Sequence, residues 1–312
     1  LFGELLAFQF AEWLEALPPG PPVQIVEAGA HSGQLAADIL NWLGKNRPRL
    51  SERVPYWIIE PSERRQAGQR ATLKRFGNQV QWYPGFAALP ACGIAGILFS
   101  NELLDAFPIE RFGWDVASQA WFEWRVQCSS AGFAWHPQPV ASQALERRFV
   151  EAGMEVPDAL KAVLPDDFTL ELCPRAADWW RTASAALNAG KLLTIDYGFS
   201  AEEFLDPRRR NGTLRAYRAH RLSADPLADP GEQDLTAHVN FTEVQRVGEA
   251  TGLRTEGLTS QSQFLVRIAE KMWQADELCP PWTASQTRQF QTLVHPEHMG
   301  QSFQVLVQGR TT

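Results

Sequence analysis

Apolar residues recur along this chain first at helical and then at strand spacing, and their alternation predicts an architecture. "LFGELLAFQFAEWLEAL" (1–17) has the spacing of an amphipathic helix, stopped by "PPGPP" at 18–22. Strand "VQIVEAG" (23–29) follows, then a helix over about 34–45. "YWIIEPS" (56–62) is a short apolar run closing on an acid, with a charged helix reaching Phe76. "QVQWYPGF" (79–86) predicts a third strand, and "GILFSNELLDAFP" (96–108) a fourth that ends in polar and acidic residues. Strand and helix patterns alternating in this way predict an α/β fold with a doubly wound, mostly parallel sheet.

The rhythm breaks after Pro108. Residues 110–137 alternate aromatic and polar side chains around Gly113 and Ser129–Gly132, which predicts antiparallel hairpins. Helical material broken by Pro157, Pro165 and Pro174 comes next. Helix 175–190 and strand 191–198 restore the βα rhythm, followed by a polar loop region at 199–240. Helices at 241–252 and near 262–276 and a strand at 302–309 complete the pattern. The expected division is a core of 1–108 and 175–312 and an inserted antiparallel and helical subdomain at 109–174, on the substrate side.

Composition narrows the function classes. A net charge of −7 lacks the clustered basic residues of a nucleic-acid grip, and "DPRRRNGTLRAYRAHR" (206–221) reads as a solvated loop. Cys92, Cys128, Cys173 and Cys279 are widely spaced and form no Cys-x-x-Cys pair, so neither a zinc knuckle nor a disulfide scaffold is indicated. No metal site is expected. No apolar run has the length of a membrane span. A reducing, cytoplasmic setting fits these features. The chain starts at Leu1 inside an amphipathic pattern, so a preceding segment is expected, which leaves a mitochondrial matrix location open. Several of the twelve tryptophans cluster at 112–135, as a large aromatic core or an aromatic groove would require.

In open α/β sheets ligands sit beyond the carboxyl ends of the strands, at the switch point beside the first one. Glu27–Gly33, Glu60–Ser62 and Ser100–Asp105 place polar groups at three such ends. Glu60 suits a carboxylate that accepts from both hydroxyls of a ribose. A dinucleotide would want G-x-G-x-x-G for its pyrophosphate, and only Gly29 and Gly33 of such a pattern are present. S-adenosylmethionine has no phosphate and tolerates a looser glycine pattern. His31 stands where the middle glycine would be, and histidine is among the residues that adopt positive φ more readily. The loop by itself leaves several ligands open.

Further segments occur in a fixed order: "SNELLDAFP" (100–108), "ELCP" (171–174), "LLTIDYG" (192–198), "GTLRAYRAH" (212–220), "PGEQDLTAHVNF" (230–241), "TSQSQFL" (259–265) and "HMGQSFQVL" (298–306). Together with "LFGELLAFQF" they resemble the MidA-type S-adenosylmethionine-dependent methyltransferases, a family that includes the mitochondrial complex I assembly-factor methyltransferase. The resemblance spans nearly the whole chain outside 109–170. It departs from the family at the first loop, where "GAHSG" (29–33) stands for roughly G-P-G-R-G, and it lacks the Gly-Asp-Phe-type segment ahead of "LFGEL".

The resemblance implies a Rossmann-like class I methyltransferase fold, S-adenosyl-L-methionine as cofactor and methyl transfer to arginine on a partner protein. A respiratory-complex subunit is the acceptor the mitochondrial relative implies, although bacterial relatives need not share it, and a homodimer is a further expectation. Glu27, Gly29, His31, Gly33, Glu60 and Asn101 are the expected cofactor residues. Methyl transfer is an in-line displacement that rests on positioning the acceptor and excluding water. A carboxylate bound bidentately to a guanidinium fixes its plane. Glu102 and Asp105 are the candidates, their spacing of three placing both on one side of a helical turn. Asp196–Tyr197–Gly198 could wall the acceptor pocket, and Asp234 and His238 approach from the long loop, His238 as a proton acceptor. The alternative is a catalytically inactive assembly or binding factor on the same fold. A dinucleotide oxidoreductase is disfavoured, because this chain lacks its glycine fingerprint and carries these downstream segments.

Overall fold

Over the first hundred residues the apolar pattern and the hydrogen bonding agree. The structure is a computed structural model and describes residues 1–18, 22–130, 132–219, 221–275 and 281–311. The 1–17 periodicity forms helix α1 (Phe2–Glu15), with Leu5, Leu6, Phe10 and Leu14 buried. Most of "PPGPP" and the whole of Cys279 lie outside the described residues. Strand β1 (Gln24–Ala28) is buried at every position, as a parallel strand covered on both faces must be. It turns into α2 (Gln34–Asn46) through Gly33, whose left-handed backbone forms the helix N-cap. Then come α3 (Pro48–Ser51), β2 (Tyr56–Ile59), α4 (Glu63–Thr72), β3 (Val80–Tyr83) and β4 (Ile94–Asn101). The charged helix expected to reach Phe76 stops at Thr72, and residues 74–79 continue as 3-10 turns kinked at Gly77.

After Pro108 the antiparallel strands appear as expected: β5 (Glu110–Asp115), β6 (Ala120–Ser129) and β7 (Gly132–Pro139). Helices α5 (Ser142–Glu151) and α6 (Asp158–Lys161) lead to a strand the sequence pattern did not predict, β8 (Phe168–Leu172). Its five residues pair antiparallel with β5. Helix α7 (Pro174–Ala186) passes directly into β9 (Leu187–Phe199), which begins four residues before the expected 191 because Leu187 already pairs with Ile94. The stretch read as a polar loop holds α8 (Ala201–Phe204), β10 (Arg215–Arg218), β11 (Arg221–Ser223), β12 (Asp234–Thr236) and β13 (Val239–Asn240). Strand β10 pairs antiparallel with both β11 and β12, so the arginine-rich run is partly strand. Helix α9 (Phe241–Ala250), β14 (Arg254–Ser260), α10 (Gln261–Gln274), α11 (Ala284–Val294) and β15 (Phe303–Arg310) complete the order.

The chain divides into two compact units. The first is Leu1–Leu103, Trp180–Asp196 and Gly248–Thr312; the second is Leu104–Trp179 and Tyr197–Val247. The second thus groups 197–247 with 104–179, where the sequence pattern resumes the core at 175. In the first unit the sheet order is β14-β15-β9-β4-β1-β2-β3. β3, β2, β1, β4 and β9 run parallel, and β14 pairs antiparallel with β15. This is the doubly wound sheet the alternation predicts, with its switch point between β1 and β4. The second unit has a four-stranded sheet, β7-β6-β5-β8, and a three-stranded one, β11-β10-β12. Its core gathers Phe112, Trp114, Trp121, Phe149, Met154 and Phe168. Trp121 meets Trp114 and Phe149 edge-on at 5.1 Å each, so part of the tryptophan cluster is core.

Candidate functional site

In the first unit, the polar residues at the ends of β1, β2 and β4 have separate environments. Gly29 and Gly33 adopt φ of +75° and +79°. A Cβ on Gly29 would come within 2.9 Å of Leu103 Cδ1, so both the backbone angle and the close packing require glycine there. His31 takes φ +43° and is exposed, so it keeps the turn without a glycine. No acidic side chain occupies the first turn of α2, and its amide groups face the loop end.

Glu60, expected at the end of β2, is 3% exposed. Its Oε1 accepts from Ser62 N–H at 2.9 Å and its Oε2 from Gln69 Nε2 at 3.2 Å. A carboxylate offers about four acceptor sites, so two remain. Gln69, on α4 and fully buried, has no apolar pattern around it and was not a candidate from the sequence. Its Nε2 also donates to the His31 carbonyl at 3.1 Å, and its Oε1 accepts from Trp82 Nε1 at 3.0 Å.

Glu27 lies inside the sheet, 2% exposed, where its Oε2 accepts from the Tyr56 hydroxyl at 2.7 Å. Burial pushes its carboxyl up to about 7, the Tyr56 hydrogen bond acting the other way. Tyr56, which no sequence pattern singled out, is in turn held well above its ordinary range by burial and by the Glu27 charge.

The expected helical turn after β4 is absent. Residues 102–109 form bends and turns, and Glu102 adopts φ +49°, a left-handed conformation that ends any helix at its start. Glu102 N–H donates to the Ile195 carbonyl, and Leu103 N–H donates to Asp196 Oδ2 at 3.1 Å. Asp196, fully buried, therefore holds this turn in shape. Glu102 is exposed, accepts from Asn101 Nδ2 at 3.2 Å, and its carboxyl is raised by desolvation, with Asn101 and the His31 charge pulling it down. Asp105 is instead buried and belongs to the second unit, so the two carboxylates do not share one helical face. Its carbonyl accepts from Ala237 N–H.

His238 also lies in the second unit. Its ring stacks on Phe199 with centroids 4.5 Å apart and planes within 5°, while the Arg209 guanidinium covers Phe199 at 3.9 Å. Burial, then the Arg215 charge, lower its pKa to about 4, so the imidazole is neutral at working pH. Its backbone N–H donates to Thr213 Oγ1 at 2.9 Å. Thr213 in turn donates its hydroxyl and its N–H to Glu171 Oε2 at 2.6 and 2.7 Å. Glu171 also accepts from Leu214 N–H and from Arg111 Nε, at 3.1 and 3.2 Å. The "ELCP" and "GTLR" segments thus form one cluster about a buried carboxylate. Gly212, at φ +73°, leaves the space a Cβ would take from Glu171 Oε1. Asp234 is exposed on β12. Trp124 and Trp135 line a groove of about 470 Å³ with Arg111, Thr169 and Arg215, so the tryptophans divide between core and groove.

Among the described residues no group of three or more His, Cys, Asp or Glu side chains could hold a metal ion. No helix among them is long and apolar enough to cross a membrane.

Comparison with known proteins identifies the family. A family model described as "Putative S-adenosyl-L-methionine-dependent methyltransferase" matches residues 5–259. The chain is 27% identical to the Xenopus laevis protein arginine methyltransferase NDUFAF7, mitochondrial, over 97% of this chain and 70% of that protein. It is equally similar to the Homo sapiens protein of the same name, with the same coverage. A crystal structure of a Burkholderia thailandensis protein bound to S-adenosyl-homocysteine superposes with a TM-score of 0.82. That pair is 29% identical, over 99% of this chain and 76% of the other.

Proposed function

The chain belongs to this family of S-adenosyl-L-methionine-dependent methyltransferases, and on that premise we propose that it methylates a protein side chain, with arginine as the acceptor. The cofactor supplies a methyl group on a positively charged sulfur. The residues at the ends of β1 and β2 fit it: Glu60 has two acceptor positions for a ribose diol, and Gly29 and Gly33 allow the backbone of the first loop to come close. His31 lies within that loop, Asn101 ends β4 beside β1, and Glu27 sits on β1 just ahead of the loop.

Glu102 is the observation that carries the acceptor assignment. An exposed glutamate held at φ +49° costs on the order of 1–3 kcal/mol of backbone strain, and such strain collects at functional sites. A guanidinium beside Glu102 would favour its charged form and offset the desolvation that raises it. Pairing would fix the guanidinium plane and leave one nitrogen for the displacement. Asp105 and His238, both in the second unit, are that unit's proposed catalytic residues. A neutral imidazole with a pKa of about 4 is free to take a proton but holds it weakly, so His238 acts in passing a proton to solvent. The relatives' printed name, protein arginine methyltransferase, supports arginine.

The test is transfer of labelled methyl from S-adenosyl-L-methionine into a lysate, with mass spectrometry of the labelled protein. Wild type labels a protein on arginine. Glu102→Ala keeps cofactor affinity and loses transfer by about a hundredfold or more. Normal turnover by Glu102→Ala would remove the assignment. The second reading, a non-catalytic binding factor, draws on His31 standing in place of a glycine. It predicts cofactor binding with no labelled protein under any condition.

A further inference from the structure

The one buried polar side chain on α4, Gln69, touches three separate parts of the first unit. Its amide donates to the His31 carbonyl in the first loop and to the Glu60 carboxylate at the end of β2, and it accepts from the Trp82 indole on β3. These partners leave the amide a single orientation. Turned over, its oxygen would face two acceptors and its N–H groups would face an indole N–H. The helix that presents it is otherwise polar and exposed, "ERRQAGQRAT", with Gln69 its only buried residue. A fully buried glutamine costs free energy unless each group is paired, and this one has both N–H groups and its oxygen engaged.

We propose that Gln69 is a positioning residue for the cofactor: it clamps the glycine-poor first loop to the ribose carboxylate Glu60 and so fixes both walls of the cofactor crevice at one distance. The inference rests on the placement of S-adenosyl-L-methionine at these strand ends. Its physical basis is the sequence of the loop. A loop with glycines at 29 and 33 only, and a histidine at φ +43° between them, needs an external tie to hold the His31 carbonyl. Gln69 provides that tie and takes one acceptor position of Glu60, leaving the others directed at a diol. Ser62 N–H holds the other oxygen of Glu60, so the carboxylate cannot rotate away.

S-adenosyl-homocysteine binding, measured by calorimetry on the whole chain, tests this with three variants. Glu60→Ala reports the cofactor placement. Gln69→Leu removes the clamp, and Gln69→Glu keeps its shape while facing Glu60 with a second carboxyl. Gln69→Leu is expected to weaken binding about tenfold, the loss of one hydrogen bond to a charged group. Gln69→Glu is expected to bind close to wild type near pH 5, where the two carboxyls share a proton, and to weaken about tenfold or more towards pH 8, where both are charged. The other ionisable groups close by are the exposed His31 imidazole and Arg70, which stacks on Trp82 at 4.2 Å. Both are present in wild type, whose profile over the same range carries their contribution. A residue that merely fills space would give Gln69→Glu no pH dependence beyond wild type. If Glu60→Ala weakens binding and both Gln69 variants match wild type at every pH, the role of Gln69 is overturned and the site stands. If Glu60→Ala also binds as wild type, the cofactor placement fails and the inference fails with it.

Discussion

Each unit buries a carboxylate that shapes a loop, and the two are partnered differently. Glu171, in the second unit, accepts from Thr213 twice, from Leu214 and from the Arg111 guanidinium. Its acceptor sites are filled and its charge is matched. Glu60, in the first unit, accepts among the described residues only from a backbone N–H and the neutral Gln69 amide. Burying an ionised carboxylate with no cation is costly, and a protein tolerates that where a ligand is to complete the set. The saturated carboxylate ties loops together, and the unsaturated one at a strand end keeps acceptor positions for the ligand proposed above. Glu27 is a third case, with Tyr56 as its single neutral donor and a carboxyl pushed up to about 7.

The contrast predicts effects of different size and kind. Glu171→Ala strands Arg111 and three donors in the interior and should cost about 3–5 kcal/mol of stability by denaturant unfolding. A loss under 1 kcal/mol would remove the distinction between the two carboxylates. Glu27→Gln comes next, and its effect depends on pH. The native carboxyl binds its proton up to about pH 7, the unfolded one only to about 4.5, so between these values the fold holds the extra proton. Stability therefore falls as pH rises from about 4.5 to 7 and then levels off. The amide removes that slope: Glu27→Gln should gain roughly 3 kcal/mol at pH 8 and nothing at pH 4, read from paired unfolding curves. Equal gains at both values would show that the carboxyl titrates alike in the folded and unfolded chains, with no upward shift in the fold.

Glu60→Ala sharpens the comparison from the other side. It should cost only about 1–2 kcal/mol of stability while weakening S-adenosyl-homocysteine binding ten- to a hundredfold in calorimetry. His31→Gly should do least. Relief of left-handed strain, about 1 kcal/mol, is offset by the added freedom of glycine in the unfolded chain, about 0.5–1 kcal/mol. Melting temperature should stay nearly constant and affinity within about threefold. A larger loss of affinity would mean that the imidazole itself touches the cofactor.

What the sequence disclosed follows the same division. The strands of the first unit are apolar runs bounded by turns, so β1, β2, β3, β4 and β9 were legible, as was the acid ending β2. The second unit's strands were legible where aromatics alternate, at β5 to β7. They were not where pairing alone makes the strand: β8 sits among prolines, and β10 to β12 are short and largely exposed. The same holds for β14, "RTEGLTS", and for α11, which buries no residue. Glu102 and Asp105 were placed on one helical turn because spacing carries no record of a left-handed backbone. Gln69 left no trace, since a glutamine in a polar helix looks the same in sequence whether it faces water or a loop. Its role exists only through three partners 9, 13 and 38 residues away.

The sheet order has a further consequence, for the sequence in which the molecule can be made. Strand β15 follows every other strand in the chain, yet it lies inside the sheet, between β14 and β9. During synthesis the ladder from β3 to β9 can close early, but β9 then shows an open edge, and β14 has no neighbour until β15 arrives. For the time it takes to translate the roughly hundred residues between β9 and β15, about 5–20 seconds at typical rates, that edge is available to the wrong strand. The sheet therefore reaches its final order only once the last strand has been made.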